Sequence, residues 1–277
     1  MENKVLVVGL CIEDLNSCDL IVSQIASGHV FGLDQKVHLI IQGPSIQQVH
    51  DLCFDIQDCA YTLVQAITGC ASLLDTNLRP DVVMIALSAP CCHGNITRDP
   101  PYPSAMDQLV SYINELTQLV TPSQWRQSHI IVTGDMAMIA ANLLSQKLNN
   151  IVTATQIIAV DGDLAPDSLK QKSNKLSYID RLCSRIRQWW TGSQSAAVTY
   201  LGSYFIDFKR SRPTRSGYFF SMPVEILAPR KFQVRGQSDF KDHYISDICR
   251  KSDAAQKIMK QLNMEPANKV KFYPANL

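Results

Sequence analysis

The apolar positions of the chain fall into short continuous runs, separated by segments with a helical spacing. Four runs predict strands: Val5–Val8, Val37–Ile41, Asp81–Leu87 and His129–Thr133. Continuous runs of this kind are typical of parallel strands buried on both faces. Three intervening segments repeat apolar residues every three to four positions and predict amphipathic helices: Ser17–Ser27, Ile46–Cys59 and Ala105–Leu119. The alternation predicts an α/β fold with a Rossmann-like, doubly wound parallel sheet.

The pattern changes after about residue 150. A short apolar run, Ile151–Val160, precedes a polar, helix-like segment at Asp167–Trp190. The apolar stripe of that helix comprises Ile179, Leu182, Cys183, Ile186 and Trp190. Two strand candidates and a final helix follow, at Ala197–Phe208, Tyr218–Leu227 and Asp239–Leu262. We therefore expect a Rossmann-like domain over residues 1–150 and a smaller α+β domain over 151–277.

Composition narrows the class of protein. The 277 residues suit about two domains, and the 46% hydrophobic content excludes a disordered chain. The net charge of +1 argues against a surface built for nucleic acid or anionic lipid, so neither is expected as a partner. The first apolar run is too short for a signal peptide, and no stretch reaches the roughly 18 apolar residues of a membrane span. We expect a cytoplasmic protein.

The nine cysteines are an odd number and lack paired Cys-x-x-Cys spacing. We interpret them as reduced thiols, with no zinc site and no other metal. Cys91-Cys92-His93 could bind a metal or sense redox state, but a polar loop is the favoured interpretation. A basic segment, Lys209–Arg215, carries four cations and no acid. It is expected to be a solvated hairpin tip, with contact to an acidic partner surface or RNA as the alternative.

The sequence lacks most of the glycine fingerprint that binds dinucleotides. That fingerprint, Gly-x-Gly-x-x-Gly, follows the first strand so that the backbone can approach a pyrophosphate at a helix N-terminus. Only Gly9 is present here, and Glu13 and Asp14 would repel a phosphate. The acid expected after the second strand, for the ribose hydroxyls, is absent from the stretch Leu39–Pro44. The pattern thus predicts a dinucleotide-binding fold without most of its ligand contacts.

Several motifs resemble malate dehydrogenases of the cytosolic type. They are Gly28-His29-Val30-Phe31-Gly32-Leu33-Asp34-Gln35, Ile56-Gln57-Asp58-Cys59-Ala60, Ile186-Arg187-Gln188-Trp189-Trp190-Thr191-Gly192 and Phe220-Ser221-Met222-Pro223-Val224. Gln156–Val160 and Lys269–Pro274 are similar to the divergent branch known as malate dehydrogenase 1B. The resemblance implies a malate/lactate dehydrogenase C-terminal domain that is truncated. It also implies the loss of the N-terminal extension usual in that branch.

The resemblance implies that the catalytic set has been replaced. Where the family has two arginines after a proline, this chain has Cys91 and Cys92. The family's Thr-Arg-Leu-Asp stretch, which supplies the substrate arginine and the aspartate partner of the catalytic histidine, falls on Asp161-Gly162-Asp163-Leu164. Gly162 and Leu164 therefore replace the arginine and that aspartate. No histidine lies between His129 and His243, so the segment carrying the catalytic histidine is expected to be deleted.

The cofactor positions are similarly depleted. The family's Gly-Asn-Pro-Ala-Asn stretch corresponds to Gly134-Asp135-Met136-Ala137-Met138, in which both amides are lost. Gly9 and Gly134 are left as vestigial cofactor positions. We expect no cofactor, or NAD if any is bound.

These observations leave three hypotheses open. The favoured one is a catalytically inactive dehydrogenase-like protein with an interaction or scaffolding role. The resemblance associates that role with a cilium or flagellum axoneme. The expected partner is a component of such an assembly, or a second copy of the chain in a dehydrogenase-like dimer. The first alternative is an NAD-dependent malate dehydrogenase with weak or residual activity. The second is a nucleotide-responsive binding module without turnover.

Overall fold

The chain forms a six-stranded parallel sheet with helices on both faces and a second, three-stranded antiparallel sheet. In the computed structural model the described residues are 4–13, 15–87, 102–119, 128–134, 137–148, 151–152, 156–160, 175–192, 199–205 and 219–234. The predicted final helix, Asp239–Leu262, and the basic segment, Lys209–Arg215, lie outside them. No helix among the described residues is long and apolar enough to cross a bilayer.

The described strands, in chain order, are β1 Leu6–Ile12, β2 Val37–Gln42, β3 Val64–Cys70, β4 Val82–Ala86, β5 His129–Thr133, β6 Ile157–Val160, β7 Thr199–Phe205, β8 Phe219–Ala228 and β9 Lys231–Val234. The described helices are α1 Leu15–Ala26, α2 Ile46–Asp58, α3 Tyr102–Leu119, α4 Ala137–Lys147 and α5 Lys175–Thr191. A short 3₁₀ helix spans Leu73–Asp75.

The strand order of the first sheet is β3-β2-β1-β4-β5-β6, with every pair parallel. This order confirms the predicted doubly wound α/β sheet. The sheet continues to Val160 in β6, beyond the boundary that the sequence places at residue 150. The division into residues 1–150 and 151–277 stays a prediction.

Two apolar layers hold the sheet between its helices. One layer packs residues of β1, β2 and β4 against α1, α2 and α5, and it includes Val224 of the second sheet. The other packs the opposite face against α3 and α4. Because strands bury side chains on both faces, the central strand residues Leu39, Ile40, Val83 and Ile131 are fully buried.

Three elements were not predicted from the sequence: β3, α4 and β9. β3 is an edge strand with Gln65, Thr68 and Gly69 along it, so its apolar pattern is weak. In α4 the residues from Ile139 to Ser145 are all buried, so the helix lacks the polar face that reveals a helical period. In α5, Trp189 is 1% exposed, whereas Trp190 is only partly buried. Trp190 nevertheless packs against the same apolar layer as the other predicted stripe residues, and Trp189 is an additional member of the stripe.

Among the described residues the cysteines are free thiols: Cys11, Cys53, Cys59, Cys70 and Cys183. All but Cys59 are buried. Burial raises the pKa of the Cys53 thiol to about 11. Burial likewise raises the pKa values of Cys70 and Cys183 to about 12.

Thiol labelling tests this arrangement. In a brief iodoacetamide pulse at pH 8, we expect Cys59 to be alkylated long before Cys183. The thiolate is the nucleophile, and the raised pKa of Cys183 lowers its thiolate fraction by about a thousandfold, in addition to the steric protection. Peptide mass spectrometry gives the extent at each cysteine, and a urea-unfolded sample, in which the two should react alike, is the control. Equal rates in the native protein would contradict the packing of α5.

Candidate functional site

The sheet has one topological switch point, between β1 and β4, where the strand order reverses. In doubly wound sheets ligands bind outside the carboxyl ends of the strands at this point. The candidate site is therefore the carboxyl edge of the sheet. At the ends of β1, β2, β4 and β5 the described residues are Ile12, Glu13, Gln42, Ala86, Leu87, Thr133 and Gly134.

The end of β1 closes the switch point. β1 runs on to Ile12, which is 1% exposed and pairs with Ala86 of β4. The next backbone N–H, that of Glu13, donates to the carbonyl of Ala86 at 3.1 Å. In the dinucleotide fingerprint a glycine-rich turn begins at the end of this strand and leaves its N–H groups to the phosphates. Here the strand ends at a buried isoleucine, and the following N–H is bonded to the neighbouring strand.

Helix α3 covers the same strand end. The Tyr112 hydroxyl donates to the carbonyl of Ile12 at 2.8 Å, and it accepts from the Gln108 amide at 2.6 Å. Tyr112 is 4% exposed, and burial raises the pKa of its phenol well above the usual value. The neutral hydroxyl therefore bonds a buried carbonyl at the end of β1, to which the Gln108 amide also donates at 3.4 Å.

A second polar network lies at the ends of β2 and β3. The Gln42 amide donates to both carboxylate oxygens of Glu115, at 3.1 and 2.9 Å, and to the carbonyl of Ala71 at 3.2 Å. The Ser72 hydroxyl donates to Glu115 at 2.6 Å. The carboxylate nearest the end of β2 thus comes from α3 and is already bonded by protein groups. This network occupies the strand end at which the family's ribose acid is expected.

Two thiols flank this network without contributing a nucleophile. Cys11, Gln42 and Cys70 are register partners across β1, β2 and β3, so they form one row on the face of the sheet beneath α3. The Cys11 thiol donates to the Gln42 side-chain oxygen at 3.6 Å. Burial raises the pKa of Cys11 well above its usual value, with a contribution from Glu115. Cys11 and Cys70 are therefore both protonated thiols at neutral pH.

The predicted vestigial cofactor positions occupy different places. Gly134 follows β5 at the carboxyl edge with a φ of 103°, and its carbonyl accepts from the N–H of Ala137. Gly9 lies in the middle of β1, paired with Ile40 and Val83. A Cβ at Gly9 would lie 3.1 Å from Cγ of Pro80, so close packing accounts for this glycine. Gly9 therefore lies within the strand, three residues before its end at Ile12, and its role as a vestigial cofactor position stays a prediction.

The replaced catalytic positions, Cys91, Cys92, Gly162 and Leu164, lie outside the described residues. His243 lies outside them as well. Among the residues that the structure does describe, no group of three or more His, Cys, Asp or Glu could hold a metal ion.

His129 is far from the candidate site. It is the first residue of β5, so the length of that strand separates it from the carboxyl edge by about 13 Å. Its ring packs edge-on against Trp189 and Trp190, with centroids 5.5 and 5.8 Å apart. Trp190 also contacts Phe31 and lies 5.1 Å from the Arg230 guanidinium carbon. His129 is therefore part of an aromatic cluster at the amino edge of the sheet.

Comparison with known proteins identifies the fold. A malate dehydrogenase from Naegleria fowleri superposes with a TM-score of 0.70 at 13% identity, covering 92% of this chain and 98% of that one. A Trichomonas vaginalis lactate dehydrogenase in complex with NADH and oxamate gives 0.70 at 12% identity, covering 93% and 100%. The chain has the malate/lactate dehydrogenase fold. A malate dehydrogenase from Picrophilus torridus also matches, at 0.63 and 10% identity over 93% and 99%.

No protein-family model matches the sequence, and no curated protein matches it. At identities of 10–14% the structural likeness carries the fold and no more. The fold alone therefore assigns no chemistry to this chain.

Removal of the Tyr112 hydroxyl tests the closure at the end of β1. We expect Tyr112→Phe to lower the free energy of unfolding by about 1–3 kcal/mol, because the buried carbonyl of Ile12 loses its close partner. Urea unfolding followed by circular dichroism measures the change. Tyr61→Phe is the matched control, since that half-buried hydroxyl bonds to none of the described residues, and we expect little effect there. Equal stability of the Tyr112 variant and the wild type would contradict the proposed closure.

Proposed function

We propose that the protein is a catalytically inactive member of the malate dehydrogenase family, closest to its 1B branch, with an interaction or scaffolding role. The observation that carries the proposal is the end of β1, where Ile12 is buried and the Glu13 N–H bonds to Ala86. The glycine turn that receives a pyrophosphate therefore has no counterpart at the end of β1. The fold supports the family assignment, and the motifs that resemble the 1B branch support the finer one.

Loss of the reacting groups gives the proposal independent support. The chemistry of 2-oxo acid reduction needs a proton donor, its orienting acid and an arginine that clamps the substrate carboxylate. No histidine occurs between His129 and His243, and no arginine between Arg126 and Arg181. His129 is engaged with two tryptophans at the opposite edge of the sheet. Removal of a general acid alone costs about 10²–10⁴ in rate, and groups that act as a unit fail together.

The packed core and the bonded strand ends support the interaction role. Both apolar layers are packed, and Tyr112, Gln42 and Ser72 bond polar groups at the strand ends, so the described residues form a well-packed α/β body. Resemblance to the 1B branch supports partners in a ciliary or flagellar assembly as part of the proposal. A dehydrogenase-like dimer is the other form that the interaction could take.

A turnover assay tests this proposal. With NADH and oxaloacetate, or NADH and pyruvate, we expect no oxidation of NADH above the rate without enzyme, measured by the loss of absorbance at about 340 nm. An active malate dehydrogenase assayed in the same buffer provides the control. Oxidation at ordinary dehydrogenase rates, about 1–10³ s⁻¹, would refute inactivity and favour the enzyme hypothesis.

A further inference from the structure

A two-residue turn joins β8 to β9, and its backbone conformation is unusual. Pro229 and Arg230 lie between the paired residues Ala228 and Lys231. Arg230 has a φ of 60°, a left-handed conformation that crowds the Cβ of any residue other than glycine. A proline followed by a residue of positive φ is typical of a type II turn, which favours glycine at that second position. Such a costly conformation persists only when the surrounding contacts hold it.

The contacts that hold the turn are made with the end of α5. The Arg230 N–H donates to the carbonyl of Trp189 at 2.8 Å. The Arg230 guanidinium carbon lies 5.1 Å from the centroid of the Trp190 ring, within the range of a cation–π interaction. Gly192 directly follows the helix with a φ of 68°, and a Cβ there would lie 2.4 Å from the backbone nitrogen of Pro229. The absence of a side chain at Gly192 therefore lets the turn cross the end of the helix.

The same end of α5 is anchored on the parallel sheet. The Trp190 ring packs edge-on against Phe31, with centroids 5.1 Å apart. Both tryptophans pack edge-on against His129 at the start of β5. The turn therefore fastens the β8–β9 hairpin to a helix end that the first sheet already holds.

Trp189 carries a second unfavourable feature at this contact. The residue is 1% exposed, and its indole N–H finds no acceptor among the described residues. A buried donor without an acceptor is costly. Opening of the turn relieves the Arg230 backbone and loosens the packing around this N–H, whereas closure gains the Arg230 contacts and buries apolar surface. Opposing contributions of this kind favour a local opening that needs less free energy than global unfolding.

We propose that Pro229 and Arg230 form a strap that opens from the end of α5 while the parallel sheet stays folded. In the open state Arg230 leaves the Trp190 ring, and the partly buried Trp190 becomes accessible beside Phe31. The strap is thus a conformational device that controls access to an aromatic surface. This inference goes beyond the proposed function, because it does not depend on whether the chain reduces a 2-oxo acid.

Native-state hydrogen exchange of the full chain tests the proposal. The reporters are the backbone N–H groups of Arg230 and Gly192, which donate to the carbonyls of Trp189 and Gln188 in the closed state. We expect both amides to share one protection factor, about a hundredfold or more below that of the amides of β1 and β4. Their exchange should not depend on low concentrations of urea, because a local opening exposes little surface. NMR resolves the individual amides.

Substitutions on both sides of the contact test that the two segments open together. Gly192→Ala places a Cβ against Pro229, and we expect it to lower the Arg230 protection factor about tenfold or more. Arg230→Ala removes the guanidinium from Trp190 and should lower the Gly192 protection factor in turn. Gly134→Ala makes the same change at a glycine with a φ of 103° at the opposite edge of the sheet. This control should leave both protection factors unchanged.

The proposal is overturned if Arg230 and Gly192 exchange only together with β1 and β4, because the strap would then open only on global unfolding. Unlinked protection factors at the two positions overturn it as well. So does an equal loss of protection in Gly192→Ala and in the Gly134→Ala control. Circular dichroism establishes that the variants are folded, and exchange of the unchanged protein decides the question if Gly192→Ala does not fold.

Discussion

The proposed loss of dinucleotide binding depends first on the hydrogen bond from the Glu13 N–H to the carbonyl of Ala86. It joins β1 to β4 beyond the last paired residues, at the point where the strand order reverses. A doubly wound sheet leaves polar groups at the strand ends unpaired at this edge, and enzymes bind ligands through these groups. Here those groups are satisfied within the chain. Tyr112 bonds the carbonyl of Ile12, and Gln42 and Ser72 bond Glu115.

The residues that resemble malate dehydrogenase serve the fold. Val30 and Phe31 are buried in the first apolar layer. Gly28 has a φ of 80°, and a Cβ there would lie 2.8 Å from the carbonyl oxygen of Gly32. Gly192 has a φ of 68° and ends α5 against Pro229. These positions are held by packing and backbone geometry, so they retain a dehydrogenase pattern whether or not a substrate is turned over.

Prediction from the sequence succeeded where hydrophobic periodicity was strong. Continuous apolar runs predict the central strands, because their side chains are buried on both faces of the sheet. Helical spacing predicts α1, α2 and α3, because the apolar residues of each helix face one layer. The apolar pattern does not predict the edge strand β3, because half-exposed strands mix apolar and polar residues. The sequence alone does not show that Gly9 lies within the strand, where the close approach of Pro80 also requires a glycine. The Tyr112 and Glu115 contacts join residues 100 and 73 positions apart, which no local pattern reveals.

The central claim concerns the described end of β1, where no glycine turn is present and the Glu13 N–H bonds to Ala86, so that a dinucleotide is not expected to bind. Calorimetric titration of the purified chain with NADH tests this claim most directly, with an NADH-binding dehydrogenase as the control. The closed edge predicts only the heat of dilution up to millimolar NADH. A saturable one-to-one isotherm with a micromolar dissociation constant would contradict it and would favour a nucleotide-responsive module.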